Sequence, residues 1–262
     1  MPHHVGLFLF TNDLRVHDNP ALAKAATEVD QLICIYCHDS NQSASSFTTP
    51  SKLRPHRQRF VEQSLISLSV NLRKLGQHLV ISGEPLLDII SQLITQHNIE
   101  KIYCSETTGV HEGQSWQLLR RRYPMIVFTR MASHTLFAQD ELPFKLAQLP
   151  DSFSKFRKIA EQLTIKSPIA VPQHLPPSPL AAEKWVPSAS TLGHKPLFQG
   201  GEQEGLAHLD RYFESNLASR YKQTRNGLDG LDYSTKFSPW LANGSLSVKR
   251  VVERLRTYER EV

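Results

Sequence analysis

Apolar positions along the chain switch period repeatedly, and each switch marks an element. Val5 to Phe10 is a short unbroken apolar run, the pattern of a strand buried on both faces. Similar runs predict strands over Gln31–Tyr36, Leu79–Ser82, 99–104 and Met125–Thr129. Between them the spacing turns helical. Over Pro55–Leu75, the residues Val61, Leu65, Leu68, Leu72 and Leu75 recur alternately four and three apart. Segments 86–97 and 112–122 also read as helices, and the polar, Ser/Thr-rich residues 39–52 as a loop. Asp18 or Asn19 suits a helix cap with Pro20 in the first turn; Gly76 stops the long helix and Glu84-Pro85 opens the next. This alternation of strand and helix predicts an α/β fold, a doubly wound five-stranded parallel sheet with helices on both faces. The first strand is not followed by G-x-G-x-x-G, which counts against a dinucleotide-binding Rossmann enzyme.

Beyond residue 130 the pattern loosens. His134–Lys158 should be irregular and then helical from about Ser152. Residues 167–196 hold seven prolines and few apolar runs, so they predict a long crossover rather than a packed element. Gly200-Gly201 makes a turn, and Glu202 and Glu204 suit the positive first turn of a helix running to about Leu217. From Ser247 on, Val248, Val251, Leu255, Tyr258 and Val262 share one side of an amphipathic helix that needs a partner. The expected organisation is an α/β layer over 1–130, an irregular segment with a short helix and crossover over 131–199, and a helical part over 200–262.

Composition adds limits. With 40% hydrophobic and 21% charged residues the chain reads as an ordinary soluble domain. A net charge of +5 permits contact with nucleic acid without demonstrating it. Three cysteines argue for a reducing compartment, and Cys34 and Cys37 lie three apart on one strand, hence on opposite faces. Cys104 reads as a third core cysteine. No apolar run approaches membrane-spanning length and the start lacks a signal or transit pattern, so the cytoplasm is expected and no membrane partner.

Candidate chemistry gathers in Tyr221–Ser247. Ser238 followed by Pro239 reads as a helix cap and first helical residue, leaving backbone N–H groups and the positive dipole end outward. Ser234 and Thr235 add hydroxyls and Lys236 a full charge, a setting that suits phosphate or pyrophosphate. An ordinary capped helix after a turn is the competing reading. A second candidate is the loop after the first strand, where Asp13, Arg15 and Asp18 serve either as scaffolding or as part of a strand-end ligand crevice. No pair of side chains reads as a general acid and base.

The Tyr221–Ser247 stretch resembles the flavin-diphosphate clamp of the photolyase/cryptochrome family, in wording closest to its DASH branch. There a Tyr-x-x-x-Arg-Asn run and a Ser-Thr-Lys-Phe-Ser run hold FAD. The resemblance implies Tyr221, Ser234, Thr235, Lys236, Phe237 and Ser238 as flavin contacts; Arg225 and Asn226 match the same pattern. Residues 11–22 are similar to the opening of photolyases, with Thr11 where that family usually has arginine, and residues 72–85 and 134–158 follow family phrasing as well. Residues 200–262 are thereby implied to be the first part of an all-helical FAD-binding domain. In the family this domain continues nearly as long again and supplies most of the ring pocket, the tryptophan relay and the DNA surface. The chain alone is therefore expected to bind flavin weakly or not at all. The implied activity is blue-light electron transfer from reduced flavin to cyclobutane pyrimidine dimers in DNA, with single-stranded DNA as the expected partner. The alternative is a non-catalytic light-signalling cryptochrome or a truncated remnant, which would self-associate through the terminal apolar stripe. Relatives often hold an antenna folate or deazaflavin in the α/β layer, which draws attention to Glu106, Thr107 and Glu112. The local loop departs from the DASH pattern, with Val110 standing where an acidic residue would be, and this weakens the expectation of a bound folate.

Overall fold

The computed structural model describes residues 4–38, 55–107, 109–183, 185–186, 196–227 and 230–262, with backbone alone for 110–112. The loop expected over 39–52 lies outside these residues. Strands β1 (Val5–Phe10), β2 (Gln31–Cys37), β3 (Leu79–Ser82), β4 (Ile99–Ser105) and β5 (Val127–Met131) form one parallel sheet in the order β3-β2-β1-β4-β5. Helices α1 (Pro20–Glu28), α2 (Pro55–Lys74), α3 (Leu86–His97) and α4 (Val110–Arg122) provide the crossovers. Because β1 is central, both of its faces are buried. Phe8 and Phe10 meet Leu22, Leu65, Leu68 and Leu72 on one side, whereas Leu7 and Leu9 meet Ile90, Ile94 and Trp116 on the other. The two-residue period of a strand separates the cysteines in the same way: Cys34 joins the first cluster and Cys37 the second.

Asn19 caps α1, accepting from the Leu22 N–H at 3.1 Å. The fifth strand begins at Val127, later than the apolar run at Met125 suggests. Ile126 N–H closes a turn onto the Tyr123 carbonyl at 3.1 Å, which leaves Met125 92% exposed. The proline-rich crossover also departs from expectation. It is irregular, but its described part is packed. Leu175 is buried and donates to Leu75 O at 2.8 Å, Leu32 N–H reaches Pro177 O at 3.1 Å, and the Gln77 amide donates to Leu32 O and Pro176 O at 2.7 Å each. Prolines keep their carbonyls, so a strand edge with spare donors can hold a proline-rich segment without forming a new strand.

After α5 (Phe153–Ala160) and the crossover come α6 (Glu202–Glu214), α7 (Leu217–Thr224), α8 (Ser238–Ala242) and α9 (Val248–Glu261). The helix expected to about Leu217 ends at Glu214, and a further helix, α7, follows it. Asn216 takes a left-handed conformation at φ 60° between them, and the Tyr258 hydroxyl bonds both Asn216 and Ser219. A third core of Leu209, Tyr212, Phe213, Phe237, Trp240, Leu246 and Tyr258 holds these helices together. Val251 packs on it, but Leu255 and Val262 of the terminal stripe stay exposed. Among the described residues no helix is long and apolar enough to cross a membrane.

The loop between β1 and α1 ties the helices to the sheet. Arg15 is 1% exposed and donates to the carbonyls of His17 at 3.0 Å, Asp18 at 3.0 Å, Ser133 at 2.8 Å and Gly244 at 2.8 Å. Leu14 N–H reaches the Asn243 carbonyl at 3.1 Å. The backbones come so close that a Cβ on Gly244, which sits at φ 69°, would lie 1.8 Å from the Asn12 carbonyl oxygen. Asp18 accepts from Ile169 N–H at 3.0 Å and from the hydroxyl of Ser247, which also caps α9. Glu202, assigned above only to the helix dipole, is buried. Its carboxylate accepts from Val16 N–H at 3.0 Å, His17 N–H at 3.2 Å, His17 Nδ1 at 2.6 Å and Asn71 Nδ2 at 2.8 Å. Ser247 N–H lies 3.3 Å from His17 Nε2, so the His17 ring bridges Glu202 and the cap of α9.

Burial pushes the Glu202 carboxyl up, but the His17 ring and the two backbone donors outweigh it and hold the group below its ordinary range. A lowered folded pKa stabilises above the ordinary carboxylate range, and this stabilisation is lost as pH falls through the folded value. Glu202→Ala should therefore cost at least about 2 kcal/mol in urea unfolding at neutral pH, because buried donors lose their acceptor. The exposed neighbour change Glu204→Ala should stay within about 0.5 kcal/mol. Glu202→Gln should flatten the acid limb of the stability curve.

Candidate functional site

The turn from Ser234 to Ser238 is not built as the Ser-Pro pattern suggests. Phe237 occupies the cap position of α8 and makes no side-chain cap bond; Ser238 is the first helical residue and Pro239 the second. Proline is accommodated at either of the first positions, since neither needs its N–H. What would suit an anion here is the backbone instead. Lys236 takes a positive φ of 53°, and Phe237 follows in the right-handed region at φ −74°, ψ −17°. Such a change of hand curls successive N–H groups toward one point, forming a concave nest for an anion. Among the described residues, no acceptor bonds the N–H of Lys236, Phe237 or Ser238. The Lys236 ammonium likewise makes no ion pair among them.

Burial along this turn differs by residue. Phe237 is buried, edge-on to His208 at 5.7 Å and to Tyr212 at 5.4 Å, so it offers a ligand only its backbone. Ser234, Thr235 and Lys236 are half-buried and Ser238 is exposed. Beneath them Trp240 is buried, donates Nε1–H to the Gln199 carbonyl at 3.0 Å and lies flat on His208 at 4.8 Å. This packing uses the bare helix face at Gly205, where an added Cβ would sit 3.0 Å from the indole. Tyr221 lies on α7 and is 42% exposed; it shares an electrostatic neighbourhood with Tyr212, which packs on Phe237. Arg225 and Asn226 are exposed just past α7, and residues 228–229 beyond them lie outside the described ones. The structure thus brings Ser234, Thr235, Lys236, Phe237 and Ser238 into one seat, with Tyr221 on the neighbouring helix.

The residues singled out after β4 do not converge. Thr107 lines a cavity of about 100 Å³ at the ends of β1 and β4, with Thr11, Asn12, Cys37, Cys104, Ser105 and Arg130 among its walls. This is the point where strand order reverses, the usual crevice of an open parallel sheet. Here Trp116 and Arg130 occupy it, the guanidinium 5.7 Å over the indole ring, while Asp13 is turned inward to Ser105 Oγ at 2.6 Å. Glu106 instead lines a broad cleft of about 1220 Å³ shared with Arg130, Asp140, Glu141, Lys166 and Lys249. Neighbours on a strand end point to opposite sides, which is why Glu106 and Thr107 part. The Glu112 and Val110 side chains lie outside the described residues. Asp13, Arg15 and Asp18 prove to be the tie between sheet and helices.

The geometry is that of a doubly wound parallel layer locked to helices, with a turn of mixed hand at Lys236 and Phe237. A sequence model of DNA photolyase matches residues 6–178, and the chain belongs to that family. The chain is 40% identical over 260 residues to a cryptochrome DASH of Vibrio parahaemolyticus, covering 99% of this chain and 58% of that one. It is similar to the crystal structure of a Synechocystis cryptochrome, with TM-score 0.87 and 33% identity, covering 100% of this chain and 57% of that one. An archaeal photolyase from Sulfolobus tokodaii shares the fold, with TM-score 0.74 at 21% identity over 98% of this chain and 56% of that one. The chain therefore spans a little over half the length of the relatives it matches.

Gly205→Ala should move the Trp240 indole off its seat and cost about 1–3 kcal/mol, as overpacking does. Thermal unfolding and a shift of the tryptophan emission will check this.

Proposed function

We propose that the Ser234–Ser238 turn seats the diphosphate of FAD and that this chain serves a DASH-type blue-light protein acting on DNA. The observation that carries this reading is the run of N–H groups at Lys236, Phe237 and Ser238 that meet no acceptor among the described residues, beside an ammonium that makes no ion pair among them. In this role the N–H groups of the nest bind phosphate oxygens, Lys236 neutralises their charge, and the hydroxyls of Ser234, Thr235 and Ser238 add donors. Tyr221 borders the seat from α7. The likeness to proteins named cryptochrome DASH supports the branch, and the Sulfolobus tokodaii photolyase was solved with two FAD molecules.

The chemistry that FAD supplies when bound is blue-light absorption and reversible donation of an electron to a cyclobutane pyrimidine dimer. The part played by this chain is placement: it fixes the diphosphate, holds the helices against the sheet and contributes a net positive surface toward DNA. The substrate form we propose is a dimer in single-stranded DNA, which escapes the cost of unstacking a duplex. An antenna chromophore, if carried, belongs in the cleft beside Glu106. Cofactor-sized ligands need about 300 Å³ or more, and the strand-end crevice is filled by the Trp116–Arg130 pair.

Lys236→Ala should lower affinity for FAD by about tenfold to a hundredfold, the worth of a hydrogen bond to a charged group. Inorganic pyrophosphate should compete with FAD for the unsubstituted protein. Fluorescence quenching of titrated flavin is the measurement, and equal affinity in the two proteins would sink the assignment of the seat.

A further inference from the structure

The imidazole of His208 is held from both sides in one protonation pattern. Nε2 lies 2.9 Å from the Thr235 carbonyl oxygen, which can only accept, so Nε2 carries the proton. Nδ1 lies 3.3 Å from Nη2 of Arg211, which can only donate, so Nδ1 is the acceptor. Burial pushes the ring below its ordinary histidine value; the Thr235 bond opposes this in part, and the Arg211 charge adds to it. The ring is therefore neutral at neutral pH. Around it stand Trp240, stacked at 4.8 Å, and the edges of Phe237 at 5.7 Å and Phe198 at 6.0 Å. The aromatic box fixes the plane of the ring, and the plane fixes where Nε2–H points.

That proton lands one residue before the left-handed Lys236. A lysine at positive φ costs about 1–2 kcal/mol relative to the right-handed form, so the turn needs outside support. Among the described residues, the His208 bond is the hydrogen bond that anchors the backbone of residues 234–236 to a helix. We infer that His208 is a positioning residue for the anion seat, holding the Thr235 carbonyl so that the N–H groups of Lys236, Phe237 and Ser238 converge. This inference rests on the reading of that turn as the diphosphate seat. A histidine in the middle of an exposed-looking helix face gives no sequence signal of such a role.

The test uses inorganic pyrophosphate as the probe, titrated against the protein and its variants by amide chemical shifts. His208→Phe keeps an aromatic ring in the box and removes the donor, and His208→Met removes the donor without the ring. His208→Gln restores an N–H. Both donor-less variants should bind pyrophosphate about threefold to tenfold more weakly, and His208→Gln should recover most of the loss. A second readout needs no ligand: the amide chemical shifts of Lys236, Phe237 and Ser238 should move in His208→Phe, with β1 and α9 amides unchanged as the control for folding. Donor-less variants that bind like the parent, while Lys236→Ala is weakened, would overturn the role of His208 and leave the seat standing. A parent that does not bind pyrophosphate overturns the seat, and unaltered shifts of those three amides in His208→Phe then overturn the support role as well.

Discussion

One buried cation sets the arrangement of this molecule. The Arg15 guanidinium is sealed from water, and taking such a charge out of solvent costs several kcal/mol unless its donors are met. They are met by carbonyls from three separate stretches: the β1–α1 loop, the strand-end segment at Ser133 and the chain after α8 at Gly244. Carboxylates of Asp13, Asp18 and Glu202 surround it electrostatically. Neither the sheet nor the helices alone can satisfy this ion. Docking the two is the way the chain avoids a stranded charge, and the glycine at 244 lets the backbones come close enough for it.

The turn proposed as the anion seat inherits its position from that tie. Along the short path from Lys236 the chain runs through the buried Trp240 and then back to the β1–α1 loop, where Leu14 N–H meets Asn243 O. The turn itself separates its two tasks by residue. Phe237 goes inward to the aromatic core, and Lys236 is half-buried with a charge that makes no ion pair among the described residues. The left-handed backbone at Lys236 joins the two. Three features of this segment (the strained backbone, the buried aromatic and the donors that meet no acceptor among the described residues) are therefore aspects of one local geometry.

Much of the α/β layer was legible in the sequence because doubly buried strands leave long apolar runs and helices leave a three-and-four spacing. Val5–Phe10 and α2 show both patterns plainly. The edge strand β5 was read early, since Met125 is apolar yet exposed, and composition does not separate a turn from an edge. Family wording drew attention to the Ser234–Ser238 turn, whereas residue chemistry gave its cap wrongly: Ser-Pro fits a cap and first residue as well as a first and second. The break at Asn216 and the positive φ at Lys236 are backbone states that side-chain identity barely records. Glu202 was the larger miss. A glutamate in a first helical turn satisfies the dipole rule whether it is solvated or buried, so nothing local distinguishes the two, and its partners at Val16, His17 and Asn71 are remote in sequence.

The same remoteness explains why the strand-end crevice and the cleft exchange roles. A doubly wound sheet creates a crevice wherever strand order reverses, and a chain with small residues there would leave it open for a ligand. Here β4 and β5 deliver Ser105 and Arg130 to that point, α4 delivers Trp116, and the guanidinium–indole contact fills the space. Asp13, which could have faced a ligand, is drawn inward to Ser105 and Asn19 instead. Its inward turn orders the loop that presents Arg15. The fold's default binding place has thus been given over to holding the tie, and room for a large ligand remains where the irregular segment 138–148 stands off from Glu106 and Lys249.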